Sequence, residues 1–111
     1  MSGMNLNEYQ DKARTTAVYP DHVGLLYTVL GLVGEAGEIA NKVKKVYRDH
    51  DGELTHAKRA DLIDELGDVL WYVAALAGEL GTELEPVAKG NLAKLQERAA
   101  KQTIQGEGDK R

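Results

Sequence analysis

Cysteine and phenylalanine are both absent from this 111-residue chain. Without cysteine there is no disulfide, no thiolate zinc site and no thiol nucleophile. With no Phe, one Trp and five Tyr, the core has to be aliphatic. Only two prolines occur, at positions 20 and 86, so long uninterrupted helices are permitted. A basic excess is missing too: 18 acidic against 14 basic residues give a formal net charge of −4. That argues against a domain devoted to phosphate backbones in bulk, and no nucleic acid polymer is expected as a partner. The longest apolar run, Val69 to Ala77, has nine residues, about half of what a bilayer span needs. The opening Met1-Ser2-Gly3-Met4-Asn5 has neither the basic nor the apolar stretch of an export signal. These absences predict a cytoplasmic chain with no membrane partner, forming one domain over residues 1–111.

What is present is ordinary globular composition, 42% hydrophobic and 29% charged, with helical periodicity and no convincing strand. Four helical segments are predicted, in an all-α bundle. The first runs from Leu6 to Val18 with Asn5 as N-cap, and Tyr19-Pro20 breaks it. The second runs from Asp21 to Arg48; its apolar positions, Leu26, Val29, Leu30, Val33, Ala36, Ala40, Val43 and Val46, step by three and four. The third runs from Thr55 to Gly81, with the glycine as C-terminal cap. The fourth runs from Leu84 to Lys101, with Thr82 as cap and Pro86 in the first turn. The stretch Val69 to Ala77 is apolar on every side, and so slender a chain can hardly surround it. Assembly with other subunits is therefore expected.

The sharpest feature is the placement of acidic residues. Glu35 and Glu38 lie mid-way along the second segment, and Glu65 and Asp68 mid-way along the third. Residues three apart share a helix face, so each pair repels itself. Four carboxylates between packed apolar helices need a positive partner, and a hard divalent cation such as Mg²⁺ or Mn²⁺ takes oxygen ligands. Gly34, Gly37 and Gly67 each weaken a helix by roughly 1 kcal/mol, which close helix approach or room for a ligand would explain.

Glu-x-x-Glu, then residues 39 to 64, then Glu-x-x-Asp on antiparallel helices resembles the MazG-like nucleoside triphosphate pyrophosphohydrolases. Tyr27 to Lys45 (YTVLGLVGEAGEIANKVKK) is similar to the family's first motif helix, and Asp64 to Tyr72 (DELGDVLWY) to its second. Asn91-Leu92-Ala93-Lys94-Leu95 with Arg98 resembles its Asn-x-x-Lys-Leu-x-x-Arg segment, and Gly106 to Arg111 the tail of many small members. The resemblance implies Mg²⁺-dependent hydrolysis of a nucleoside triphosphate to the monophosphate and pyrophosphate, by metal-activated water attack at the α-phosphorus, with Mn²⁺ as a possible substitute. It implies Glu35, Glu38, Glu65 and Asp68 as metal ligands, with Glu35 or Glu38 also orienting or deprotonating the water. Substrate contacts are expected from Lys42 and Lys45, which follow Glu38 on its side of the helix. Asn91, Lys94 and Arg98 share one face of the fourth helix and are expected to join them. Tyr72 is expected beside the base, with Tyr19 and Gln10 closing that pocket, and Trp71 in the core or an interface. Small members of the family form dimers or dimer-of-dimers tetramers, so a homo-oligomer is implied. The alternatives are a non-catalytic helical interaction module, or a carboxylate-bridged di-metal bundle. The latter usually carries paired Glu-x-x-His motifs, and here the one instance, Glu53 to His56, has no partner.

Overall fold

In the computed structural model, which describes residues 3–105, Asn5 opens helix α1 (Leu6–Arg14) through a reciprocal capping box. Its side chain accepts from the Glu8 amide and the Glu8 carboxylate accepts from the Asn5 amide, both at 2.8 Å. The helix stops short of the expected Val18. The Thr15 and Thr16 hydroxyls donate to the Lys12 and Ala13 carbonyls at 2.7 Å, local bonds that compete with continuing the helix. Asp21, expected to open the second helix, instead begins a single 3-10 turn (Asp21–Val23), and α2 follows as Gly24–His50. Asp51 and Gly52, both at positive φ, turn the chain, and Thr55 caps α3 (His56–Glu79) by accepting from the Lys58 amide. Gly81 ends α3 as expected. At φ 75° it allows its own amide to reach Gly78 and the Thr82 amide to reach Ala77. Helix α4 is Leu84–Gln105.

Helices α2 and α3 form an antiparallel hairpin. Neighbours across it run in opposite order: Gly24 against Glu79, Gly31 against Tyr72, Lys42 against Glu65. The four-helix, strand-free reading of the sequence therefore holds for the described residues. Helix α1 lies across the C-terminal half of α3, and Ala74, Ala77 and Leu84 form the small core there, packed on by Tyr9 and Val73. The tail Gly106 to Arg111, singled out in the sequence, lies outside the described residues.

Gln10, expected to close the substrate pocket, bonds into this core and also lines a cavity with Tyr19, Trp71 and Glu79. It is 2% exposed. Its Nε2 donates to the carbonyls of Ala74 (3.2 Å) and Thr82 (3.1 Å), and its Oε1 accepts from the buried Leu84 amide (3.0 Å). Asn7 accepts from the next amide, Glu85, at 2.9 Å. Two side chains of α1 thus cap α4, and Thr82, the expected cap, turns its hydroxyl to the Glu83 carbonyl.

Much apolar surface has no cover. Leu26, Leu30 and Val33 on α2 are 59, 61 and 65% exposed, and Ile63 and Leu66 on α3 are exposed as well. By length and composition Asp21–His50 is apolar enough to cross a membrane, with a windowed hydropathy of 1.4. Glu35 and Glu38 near its middle count against a bilayer, where a central charge costs a few kcal/mol. Of the two reasons offered for the glycines, close helix approach needs correction. A side chain at Gly34, Gly37 or Gly67 would meet nothing within 4 Å, so none of them brings helices of this chain together. That role falls to Gly31, where the Tyr72 ring fills the space of the missing Cβ, and to Gly24, where the Glu79 carboxylate does.

Candidate active site

Midway along the hairpin, α2 contributes Glu35 and α3 contributes Glu65 and Asp68. One carboxylate oxygen from each lies within 4.8 Å of the others. Burial and the facing Asp68 and Glu65 push the Glu35 carboxyl above its ordinary value. Glu65 is held from outside. Its Oε2 takes the Lys42 ammonium at 2.7 Å, and the same ammonium lies 2.9 Å from Asp61. Its Oε1 is buried and has no hydrogen-bond partner, alone in this among the described side chains. A buried carboxylate oxygen without a donor is costly, and a cation beside it removes the cost. Three hard oxygens with one left unpaired fit a divalent ion of the Mg²⁺ or Mn²⁺ kind.

Glu38 was expected in this cluster and lies outside it, exposed one step along α2. Three residues turn a helix by about 300° and raise it about 4.5 Å, enough to carry the second carboxylate past the closest point of the hairpin. Lys42 is at the cluster, paired to acids. Its ammonium donates to the Glu65 and Asp61 carboxylates, which favour the charged form and raise its pKa. Lys45 is exposed and lines a small side cavity with Lys42, Lys58 and Asp61.

Beside the carboxylates opens a cavity of about 400 Å³, bounded by Glu35, Asp68, Tyr19, Tyr27, Trp71 and Tyr72, with Thr16 and Val18 at one side. Its wall is a run of aromatic rings. Tyr19 stacks on Tyr27 (centroids 4.7 Å, 20° between planes), Tyr27 lies tilted 6.2 Å from Tyr72, and Tyr72 meets the edge of Trp71 at 4.9 Å. The Trp71 indole donates to the Thr16 hydroxyl at 2.8 Å, and its ring, expected in the core or an interface, lines the cavity. Tyr19 and Tyr72, both expected at a base pocket, are in this wall. Burial and the Glu79 carboxylate push the Tyr19 hydroxyl up to about 12. Sequence reading missed Tyr27. The signal was there: Tyr27, Gly31 and Glu35 step by four along one face, and the glycine makes room for the opposite ring.

The residues of α4 are elsewhere. Asn91 and Lys94 line an apolar groove with Leu6, Leu70, Val73 and Leu84, and Arg98 is exposed further along the helix. The structure does not bring them to the carboxylates of their own chain.

A profile of the MazG nucleotide pyrophosphohydrolase domain matches residues 24–103. The chain belongs to this family. The match spans both carboxylate helices and the described part of α4, and it makes the chain a pyrophosphohydrolase-type enzyme at the level of the family. Among curated proteins, Gene 37 protein of Mycobacterium phage L5 is 54% identical, covering 97% of this chain and all of that protein. Uncharacterized protein YvdC of Bacillus subtilis (strain 168) is 38% identical over 60% of this chain and 68% of its own length. No solved structure matches.

Proposed function

We propose that this chain hydrolyses ribo- or deoxynucleoside triphosphates to the monophosphate and pyrophosphate, with Mg²⁺ as cofactor and Mn²⁺ as substitute. One observation supports this reading above the rest: Glu35 and Asp68 belong both to the carboxylate trio and to the wall of the aromatic cavity. A planar base among the tyrosines would therefore leave its phosphates at the acids. Glu35, Glu65 and Asp68 would hold a divalent cation, with Glu38 as a further ligand by family resemblance, and the ion would supply positive charge to phosphate oxygens that the acids alone would repel. Glu35, whose carboxyl is raised, accepts the proton of the water attacking the α-phosphorus, and Glu38 is the second candidate for that role. Pyrophosphate leaves. Lys42 and Lys45 extend positive charge along α2 toward the phosphates.

The uncovered stripe on α2 and α3 supports a homodimer or a dimer of dimers. In such an assembly Asn91, Lys94 and Arg98 would serve the site of a neighbouring copy, since they do not reach their own. The whole chain, residues 1–111, acts as one domain on free nucleotides in the cytoplasm.

The test is a panel of all common nucleoside triphosphates and deoxynucleoside triphosphates, with modified bases, incubated with Mg²⁺ or Mn²⁺. Monophosphate and pyrophosphate are the expected products. No turnover anywhere in the panel would overturn the reading and favour the interaction module. Light scattering on the same sample is expected to give a multiple of 12.1 kDa, and a monomer mass would overturn the assembly.

A further inference from the structure

Glu79 plays no part in the reading above, yet its carboxylate occupies the space where a Cβ at residue 24 would lie, so a side chain there would push the carboxylate from this seat. Gly24 is buried and opens the 27-residue helix α2. A carboxylate at that end is favoured by the unpaired first-turn amides and by the helix dipole. From this seat Glu79 Oε2 accepts the Tyr19 hydroxyl at 3.0 Å. Tyr19 needs such a hold. It lies between α1 and the 3-10 turn, in a segment with no helix to support it, next to a Val18 that is 93% exposed.

We propose that Glu79 is the positioning residue of the aromatic wall. By holding the Tyr19 hydroxyl at the head of α2, it keeps that ring stacked on Tyr27 and so sets affinity for a planar base without touching it. This rests on the nucleotide reading above. The chain of contacts is continuous: the Gly24 notch seats Glu79, Glu79 holds Tyr19, Tyr19 stacks on Tyr27, and Tyr27 leans toward Tyr72 in its own notch at Gly31. Glycines at 24 and 31, seven residues apart, thus give the cavity wall its two fixed ends.

The experiment is a double-mutant cycle on Tyr19→Phe and Glu79→Leu, read on a triphosphate that the wild type hydrolyses. A hydrogen bond to a charged acceptor predicts a KM about tenfold higher for either single variant. The double variant is expected to be no worse than either single. For Glu79→Leu, kcat should change far less than KM, and the affinity for Mn²⁺ alone should stay that of the wild type. Glu79→Gln keeps an acceptor oxygen and should retain most of the affinity. Gly24→Ala, which evicts the carboxylate without altering Tyr19 or Glu79, should raise KM like Glu79→Leu. A KM within twofold of wild type in Glu79→Leu, or single effects that multiply in the double variant, overturns the proposal. If Glu79→Leu does not fold, the cycle is run with Glu79→Ala and read the same way. If the wild type hydrolyses no triphosphate, the proposal falls with the nucleotide reading. The Tyr19–Glu79 contact is then judged separately by alkaline absorbance titration, in which Glu79→Gln should make one tyrosine ionise at lower pH.

Discussion

Gln10 and Glu65 are both polar side chains reaching across a helix interface, and their fates are opposite. Gln10 uses both ends of its amide on backbone groups of α3, of α4 and of the turn between them. Glu65 has one oxygen on Lys42 and the other buried with no partner. The first arrangement is complete in the chain alone. The second leaves one buried oxygen that the described residues do not pair. The same contrast runs along α3, whose C-terminal half carries Ala74 and Ala77 in the core while its N-terminal half leaves Ile63 and Leu66 exposed. Satisfied groups mark the part of the molecule that holds the fold. Unsatisfied ones mark the part that waits for a ligand or a neighbour.

The strongest way to break this comparison is Glu65→Gln. Turnover is expected to fall about 100-fold or more, because charge is removed where it must be matched in the transition state. Thermal stabilisation by added Mg²⁺ should disappear with it. The metal-free protein should melt within a few degrees of the wild type, since the ion pair to Lys42 is partly exposed and contributes only about 0–1 kcal/mol. A large drop in metal-free stability would mean that Glu65, like Gln10, belongs to the scaffold. Activity assays and thermal melts with and without Mg²⁺ decide it.

Gln10→Leu should do the reverse. The replacement is of similar volume but leaves the Leu84 amide and the Thr82 carbonyl unpaired in the core. The expected loss is about 3 kcal/mol of unfolding free energy in urea titration. The folded fraction should still bind Mn²⁺ as the wild type does. Loss of metal affinity without loss of stability would return Gln10 to the site, where the sequence had placed it.

Why the core bonds of Gln10 were not legible in the sequence is instructive. Helix periods, the Asn5 cap and the Gly81 stop are local signals, and each was legible. So was the group of acids, because carboxylates on apolar helices have no cheap local explanation. Gln10 pairs with backbone atoms 64 to 74 residues away, and backbone atoms leave no trace in a pattern of side chains. That Glu38 lies outside the trio was hidden for a related reason. Spacing puts it on the face of Glu35, but which of the two meets Glu65 depends on where the two helices come closest. Gly31 was passed over in favour of Gly34, Gly37 and Gly67, which adjoin the acids in sequence yet touch nothing in the chain. Only a partner ring, Tyr72, identifies the glycine that matters.

The smallest expected effect sharpens the comparison through pH. Burial and the neighbouring acids raise the Glu35 carboxyl above its ordinary value of 4.5 in the metal-free chain. Between that value and the raised one, the folded chain binds more of this proton than the unfolded chain does. Its contribution therefore makes stability fall as pH rises through that window and level off above it. Glu35→Gln should flatten this part of the profile, measured by urea titration across the weakly acidic range without metal. Saturating Mg²⁺ should reverse the slope in the wild type, because the ion binds the deprotonated carboxylates and competes with the proton for them. A metal-free slope of the same sign and size in Glu35→Gln would mean that Glu35 does not carry this part of the profile. A slope lost in the variant and inverted by Mg²⁺ instead ties the raised Glu35 carboxyl to the acids that would hold the ion.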